Sequence, residues 1–136
     1  MKKLNYVFAV AIASALQSPS AWSADNFLPD IQQQGDVYYV TGGIGDEETD
    51  AMETERGDYN LQIMSADRLG HFNGYPHIII SDMQHNELIN ADGGPLFYAS
   101  LPNGKYIVEG FVGKQTQRQN ITITGKKTSY IRFVWK

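Results

Sequence analysis

Polar and apolar positions along this chain fall into short blocks with a period near two. The run Asp36-Val37-Tyr38-Tyr39-Val40-Thr41 is dense in β-branched and aromatic residues and predicts a strand, ended by Gly42-Gly43-Ile44-Gly45. From Tyr59 the alternation is plain: Tyr59, Leu61 and Ile63 on one side, Asn60, Gln62 and Met64 on the other. Residues 77–81 form a buried-type run, 82–86 a turn, 87–91 a short strand, 92–95 a Gly-Gly-Pro turn and 96–101 another strand. Leu101-Pro102-Asn103-Gly104-Lys105-Tyr106 predicts a tight hairpin with a bulge, because Pro102 presets φ at the first corner and Asn103 and Gly104 tolerate positive φ. A strand over 106–112, a Gly113-Lys114 turn, a strand over 117–124 and a Gly125-Lys126 turn follow. In the last strand Ile131, Phe133 and Trp135 share one face and Tyr130, Arg132 and Val134 the other.

One segment departs from this rhythm. Residues 46–56 predict a surface helix, with Asp46 as N-cap, Glu47 and Glu48 in the dipole-favoured first turn, and Gly57 as its stop. Its apolar stripe is thin (Ile44, Ala51, Met52), so it should pack by one edge. About seven strands with turn signals every 8 to 12 residues predict an all-β fold. The expected form is a seven-stranded antiparallel β-sandwich over 36–136 with one short acidic surface helix.

The front of the chain reads differently. Lys2 and Lys3 precede an apolar run over residues 4–16, followed by small and polar residues to Ser23. That is the three-part pattern of a secretory signal, and the run is shorter than the roughly 20 residues of a membrane span. Ala21-Trp22-Ser23 places small residues at the third-last and last positions before cleavage, so the expected cut lies at Ser23/Ala24. Residues 24–35, polar with Pro29 and a glutamine run, read as a flexible leader. The expected location is the bacterial periplasm or the exterior, with no membrane span left after cleavage. The absence of cysteine excludes disulfides, thiolate nucleophiles and cysteine metal sites.

Charge narrows the partners. Residues 24–100 hold fourteen acidic side chains against Arg56 and Arg68, whereas 101–136 hold seven basic ones against Glu109. The chain as a whole is net −4, and more acidic still without Lys2 and Lys3. That balance argues against a nucleic-acid partner.

The segments Leu101-Pro102-Asn103-Gly104-Lys105-Tyr106, Gln117-x-Gln119, Ile121-x-Ile123 and Ile131-x-Phe133-x-Trp135, with Tyr39-Val40-Thr41-Gly42-Gly43 upstream, resemble carboxypeptidase regulatory-like domains. These are similar to transthyretin-like (prealbumin-like) sandwiches, and small exported bacterial proteins are among them. The resemblance implies the fold and supplies no catalytic residue. Hydroxyisourate hydrolases share the fold and carry a Tyr-Arg-Gly-Ser tail; Arg132-Phe133-Val134-Trp135-Lys136 does not match it.

Candidate chemistry is sparse. The acidic cluster Asp46, Glu47, Glu48, Asp50, Glu53, Glu55 and Asp58 lacks EF-hand spacing and reads as a solvated helix face. His71, His77 and His85, with Met64 and Met83, have residue types suited to copper but no tight spacing. Gly42-Gly43-Ile44-Gly45 lacks the lysine of a phosphate loop, and Arg56-Gly57-Asp58 reads as a helix stop. No elbow motif joins a hydroxyl to a base and an acid. The expectation is a non-catalytic binding or interaction module without a cofactor, acting through loops and edge strands. Its partner, protein or small molecule, and its oligomeric state are not legible in the residues. The alternative is a metal- or carbohydrate-binding accessory protein. Either way the candidate binding residues are His71, Phe72 and Tyr75 in the 69–76 loop, with His85.

Overall fold

The computed structural model describes residues 28–72, 74–125 and 127–136. The signal-type segment 1–23 and the first residues of the leader lie outside them. Two sheets stack face to face, as expected, but among the described residues they contain nine strands where about seven were expected. The strand that no sequence pattern marked is β1 (Gln32–Gln34), inside the segment read as a flexible leader. It turns back through Gly35-Asp36 onto β2 (Val37–Gly42), with Gln34 opposite Val37. Gly35 takes φ 58° at the first corner of this two-residue loop, where glycine is needed. A glutamine run carries no hydrophobic signal, so its pairing is visible only in three dimensions.

After β2 comes α1 (Asp46–Glu55), and a short 3-10 turn follows it at Arg56–Asp58. Then come β3 (Leu61–Ala66), β4 (His77–Asp82), β5 (Glu87–Asp92) and β6 (Leu96–Ser100). The last three are β7 (Gly104–Val112), β8 (Gln115–Ile123) and β9 (Ser129–Val134). The larger sheet has the order β1-β2-β6-β3-β9 and the smaller β5-β4-β7-β8. All pairs are antiparallel except β3 with β9, which run parallel, so the expectation of a wholly antiparallel sandwich is corrected. The chain enters β9 from the opposite sheet, and that direction sets it parallel to β3.

The 101–106 hairpin is also corrected. β6 and β7 belong to different sheets, so Leu101-Pro102-Asn103 carries the chain across the sandwich. The Asn60 side chain accepts the Leu101 N–H (2.9 Å) and donates to its carbonyl (2.8 Å). Tyr106 Oη donates to Pro102 O four residues upstream (2.6 Å), the arrangement of a tyrosine corner. The turn residues signal a change of direction but not the strand that will be joined.

Between the sheets Leu61, Ile63, Phe97, Ile131, Phe133 and Trp135 face Ile78, Ile80, Ile89, Tyr106, Val108 and Ile123 in one core. The predicted faces of the last strand are the observed ones: Ile131, Phe133 and Trp135 are buried, and Tyr130, Arg132 and Val134 are exposed. A second cluster lies on the outer face of the larger sheet, where Met52 of α1 covers Val40, Leu96 and Tyr98. The expected stripe is thus reduced to Met52, because Ile44 is exposed. Gly45, not Asp46, stands at the N-cap. The Glu48 carboxylate reaches back to accept the Gly43 and Ile44 N–H groups (2.8 and 3.0 Å). Among the described residues no helix is long and apolar enough to cross a membrane.

Candidate functional site

Open strand edges are the usual route by which a sandwich recruits another chain. Here both seams are closed by side-chain amides. Gln115, Gln117 and Gln119 alternate along β8, so all three point the same way. Their Nε2 groups donate to the carbonyls of Lys136, Val134 and Arg132 on the free side of β9. Gln115 Oε1 accepts the Lys136 N–H (3.0 Å), and Ser129 Oγ donates to Thr122 O (3.1 Å). At the other seam the Gln34 amide bonds both backbone groups of Asn90 on β5 (3.1 and 3.0 Å). The edges are thereby occupied at these positions, which leaves the loops.

The loop joining β3 to β4 holds three bulky apolar side chains in solvent, whereas the loops of Ile44 and Met83 each expose one. Leu69 is 81% exposed, Tyr75 70% and Phe72 41%. Asp67 builds its first half. Its Oδ1 accepts the N–H groups of Leu69 (2.9 Å) and His71 (3.0 Å). Its own backbone N–H donates to His71 O and its carbonyl accepts from Gly70. Burial acts to raise the Asp67 pKa, but the N–H groups of His71 and Leu69 and the His71 ring outweigh it and hold the carboxyl below its ordinary range. Ala66 then pairs with Phe72 in a single bridge, and Gly93 N–H anchors Pro76 O (2.9 Å). The apolar side chains therefore stand on a hydrogen-bonded frame.

Beneath this loop lies a cavity of about 190 Å³, lined by Ala66, Asp67, Gly74, Val112, Trp135 and Lys136. The Trp135 ring packs against Phe133 with centroids 5.6 Å apart. Its Nε1–H is enclosed and has no acceptor. A Cβ on Gly74 would sit 3.5 Å from Trp135 Cδ1 and 3.9 Å from Nε1, so Gly74 lies beside the N–H edge of the indole. Residue patterns marked Trp135 as core and did not show that it lines a cavity; its one signal in the sequence was a polar-tipped aromatic where phenylalanine would pack.

The four residues singled out from the sequence divide between two places. His71, Phe72 and Tyr75 share the 67–76 loop. His85, at φ 67°, sits in the β4–β5 turn held by Asp82. β4 intervenes, and its length puts roughly 17 Å between the two ends of the sandwich. His71 and His85 therefore do not share a ligand site. Among the described residues no three His, Cys, Asp or Glu side chains gather closely enough to hold a metal ion.

His77 forms a separate cluster on the outer face of the smaller sheet. Its Nδ1 is 2.6 Å from Asp92 Oδ1 and its Nε2 2.6 Å from Asn90 Oδ1. Asn90 Nδ2 donates to Glu87 Oε1 (3.0 Å), which fixes the orientation of the amide. Among the described residues no hydroxyl bonds the His77 ring, whose two nitrogens meet Asp92 and Asn90.

No protein-family model matches this chain, and no curated protein does. Among solved structures it is similar to the Bacillus anthracis TIE protein, with 17% identity and a TM-score of 0.43. That match covers 56% of this chain and 15% of the other, so the chain spans a small part of that protein's length. At this distance the likeness carries no inference about activity.

Proposed function

We propose that this protein is an exported, non-catalytic binding module whose contact surface is the 67–76 loop and the cavity beneath it. The observation that carries the reading is the placement of Leu69, Phe72 and Tyr75, largely exposed on a loop braced by Asp67. Side chains on a hydrogen-bonded loop have less entropy to lose on binding, and aromatic side chains are common anchors of interfaces. The sealed seams support loops over edge strands as the contact. Export rests on the Lys2-Lys3 and 4–16 pattern, and the transthyretin-like resemblance belongs to the same proposal.

A photo-crosslinking residue at position 75, compared with one at the exposed Arg118 of β8, tests the surface in cells that export the chain. A discrete adduct is expected at 75 and absent at 118. Equal labelling at both positions, or none at 75, overturns the assignment.

A further inference from the structure

The outer face of the larger sheet is covered unevenly. α1 lies over β2 and β6, where Met52 meets Val40, Leu96 and Tyr98. At the far side β9 carries no such cover. Tyr130 is 63% exposed, and Arg132 and Val134 are exposed beside it. The strip formed by β3 and β9 is roughly 10 Å wide, close to the diameter of one helix with its side chains.

Charge divides along the same line. Six of the residues of α1 are acidic and none is basic. Glu47 and Asp50 are exposed, and their positions put them on the side of the helix opposite Met52. Among the described residues the ion pairs are His71 with Asp67 and His77 with Asp92. Neither the α1 carboxylates nor the Arg132 guanidinium therefore has an oppositely charged partner there.

Register sets the levels across the sheet. Leu96, Met64 and Arg132 lie side by side, and Tyr98, Gln62 and Tyr130 form the next row on this face. Met52, which packs on Leu96 and Tyr98, thus stands level with Arg132 and Tyr130. A two-fold axis parallel to the strands, beside α1, carries the α1 of a second copy over β9 at that same level. Its Glu47 and Asp50 then face Arg132. Its exposed Ile44, two residues past Gly42 and so past the Leu96 row, falls towards Val134. The operation is reciprocal, so every contact forms twice.

We propose that a second copy of this chain covers the open half of the larger sheet, in a symmetric dimer whose α1 helices each fill the other copy's bare strip and set Glu47 and Asp50 against Arg132. Opposite charges left unpaired within one chain are thereby paired between two. This pairing is independent of the 67–76 loop as a binding surface.

Sedimentation equilibrium of the protein purified from cells expressing the full chain tests the dimer. Two helices in two strips make an interface near the lower bound of about 1,000 Å² for a specific contact, so a monomer–dimer equilibrium in the micromolar range is expected. Arg132→Glu should weaken it about tenfold or more, and so should Glu47→Lys with Asp50→Lys. The triple variant should recover most of the association, because the pair is restored with its signs exchanged. Arg118→Glu makes the same change of net charge on the smaller sheet and should leave the equilibrium unaltered. Circular dichroism of each variant separates a loss of fold from a loss of pairing. If a helix variant fails to fold, Val134→Arg probes the same face through the Ile44 contact and should also weaken the dimer. A strictly monomeric protein, species that grow beyond a dimer, equal weakening by Arg118→Glu, no recovery in a folded triple variant, or an unaffected dimer in Arg132→Glu or Val134→Arg overturns the proposal.

Discussion

Gly110 of β7 and Phe133 of β9 occupy one space between them. A Cβ on Gly110 would lie 2.8 Å from Phe133 Cε2 and 3.2 Å from Trp135 Cζ2. Phe133 itself is fully buried. Truncating it to alanine should cost about 3 to 5 kcal/mol, and Gly110→Ala, which overpacks the same spot, about 1 to 3 kcal/mol. In the double variant the second cost should largely vanish, because the ring that collides is gone. Urea melts of the four proteins measure this, and strictly additive costs would show that the two side chains do not share the space. Arg132→Ala, on the opposite face of β9, should change stability by less than about 1 kcal/mol. The facing of Ile131, Phe133 and Trp135 was legible from alternation alone. The need for glycine at 110 was not, because its neighbour lies on another strand across the sandwich.

At the scale of elements, the seams are the distinctive feature. The Gln115-x-Gln117-x-Gln119 alternation has the period of a strand, so one face of β8 presents three amides to the free carbonyls of β9. Replacing Gln117 and Gln119 together by alanine should cost about 1 to 2 kcal/mol and open the edge of β9. Sedimentation velocity should then detect more self-association than in the parent, since an exposed edge templates another strand. A double variant that associates no more than the parent would show that the amides decorate the edge without guarding it. Near the other seam, His77 faces acceptors at both ring nitrogens, and only the doubly protonated imidazolium donates to both. The Asp92 hydrogen bond, then that to Asn90 and the charges of Asp92 and Glu87, raise its pKa above the ordinary value of 6.5 against the effect of burial. Glu109 and Phe111 of β7 stand on the same outer face, Phe111 directly opposite His77 in register. A pKa raised in the folded state means the native form binds the proton more tightly than the unfolded chain. The resulting stabilisation is complete below the unfolded pKa and is lost as pH rises through the folded one. NMR titration should place His77 above 6.5, and Asp92→Asn should bring it down. A His77 pKa at or below the free value would mean that the Asp92 and Asn90 contacts do not persist in solution.

For the molecule as a whole, the legible and illegible parts separate by the range of the interaction that decides them. Alternation and turn residues are local, and they located most strands and the one helix. The partner of each strand is not local. The parallel β3–β9 pair and the passage of 101–103 between sheets depend on segments far apart in the chain. Likewise His71, Phe72 and Tyr75 are neighbours in sequence and share a loop, whereas the cavity wall of Ala66, Val112 and Trp135 is assembled from three strand ends. β1 is the sharpest case, since three glutamines become a strand only because β2 and Asn90 are there to bond them. This ties the fold to the proposed processing of the chain. If residues 1–23 are a cleaved signal, the domain must not need them. A chain starting at Ala24 should then melt in urea at the same midpoint as the full chain, and N-terminal sequencing of exported material should begin there or close by. A chain starting at Gly35 loses β1, frees the edge of β2 and strips the Gln34 amide from both backbone groups of Asn90. It should be less stable by about 1 to 3 kcal/mol, the sum of a few net hydrogen bonds. Equal stability of the Gly35 and Ala24 chains would mean that β1 lies against the sheet without holding the seam. A loss on removing residues 1–23 alone would place that segment inside the domain and end the export reading.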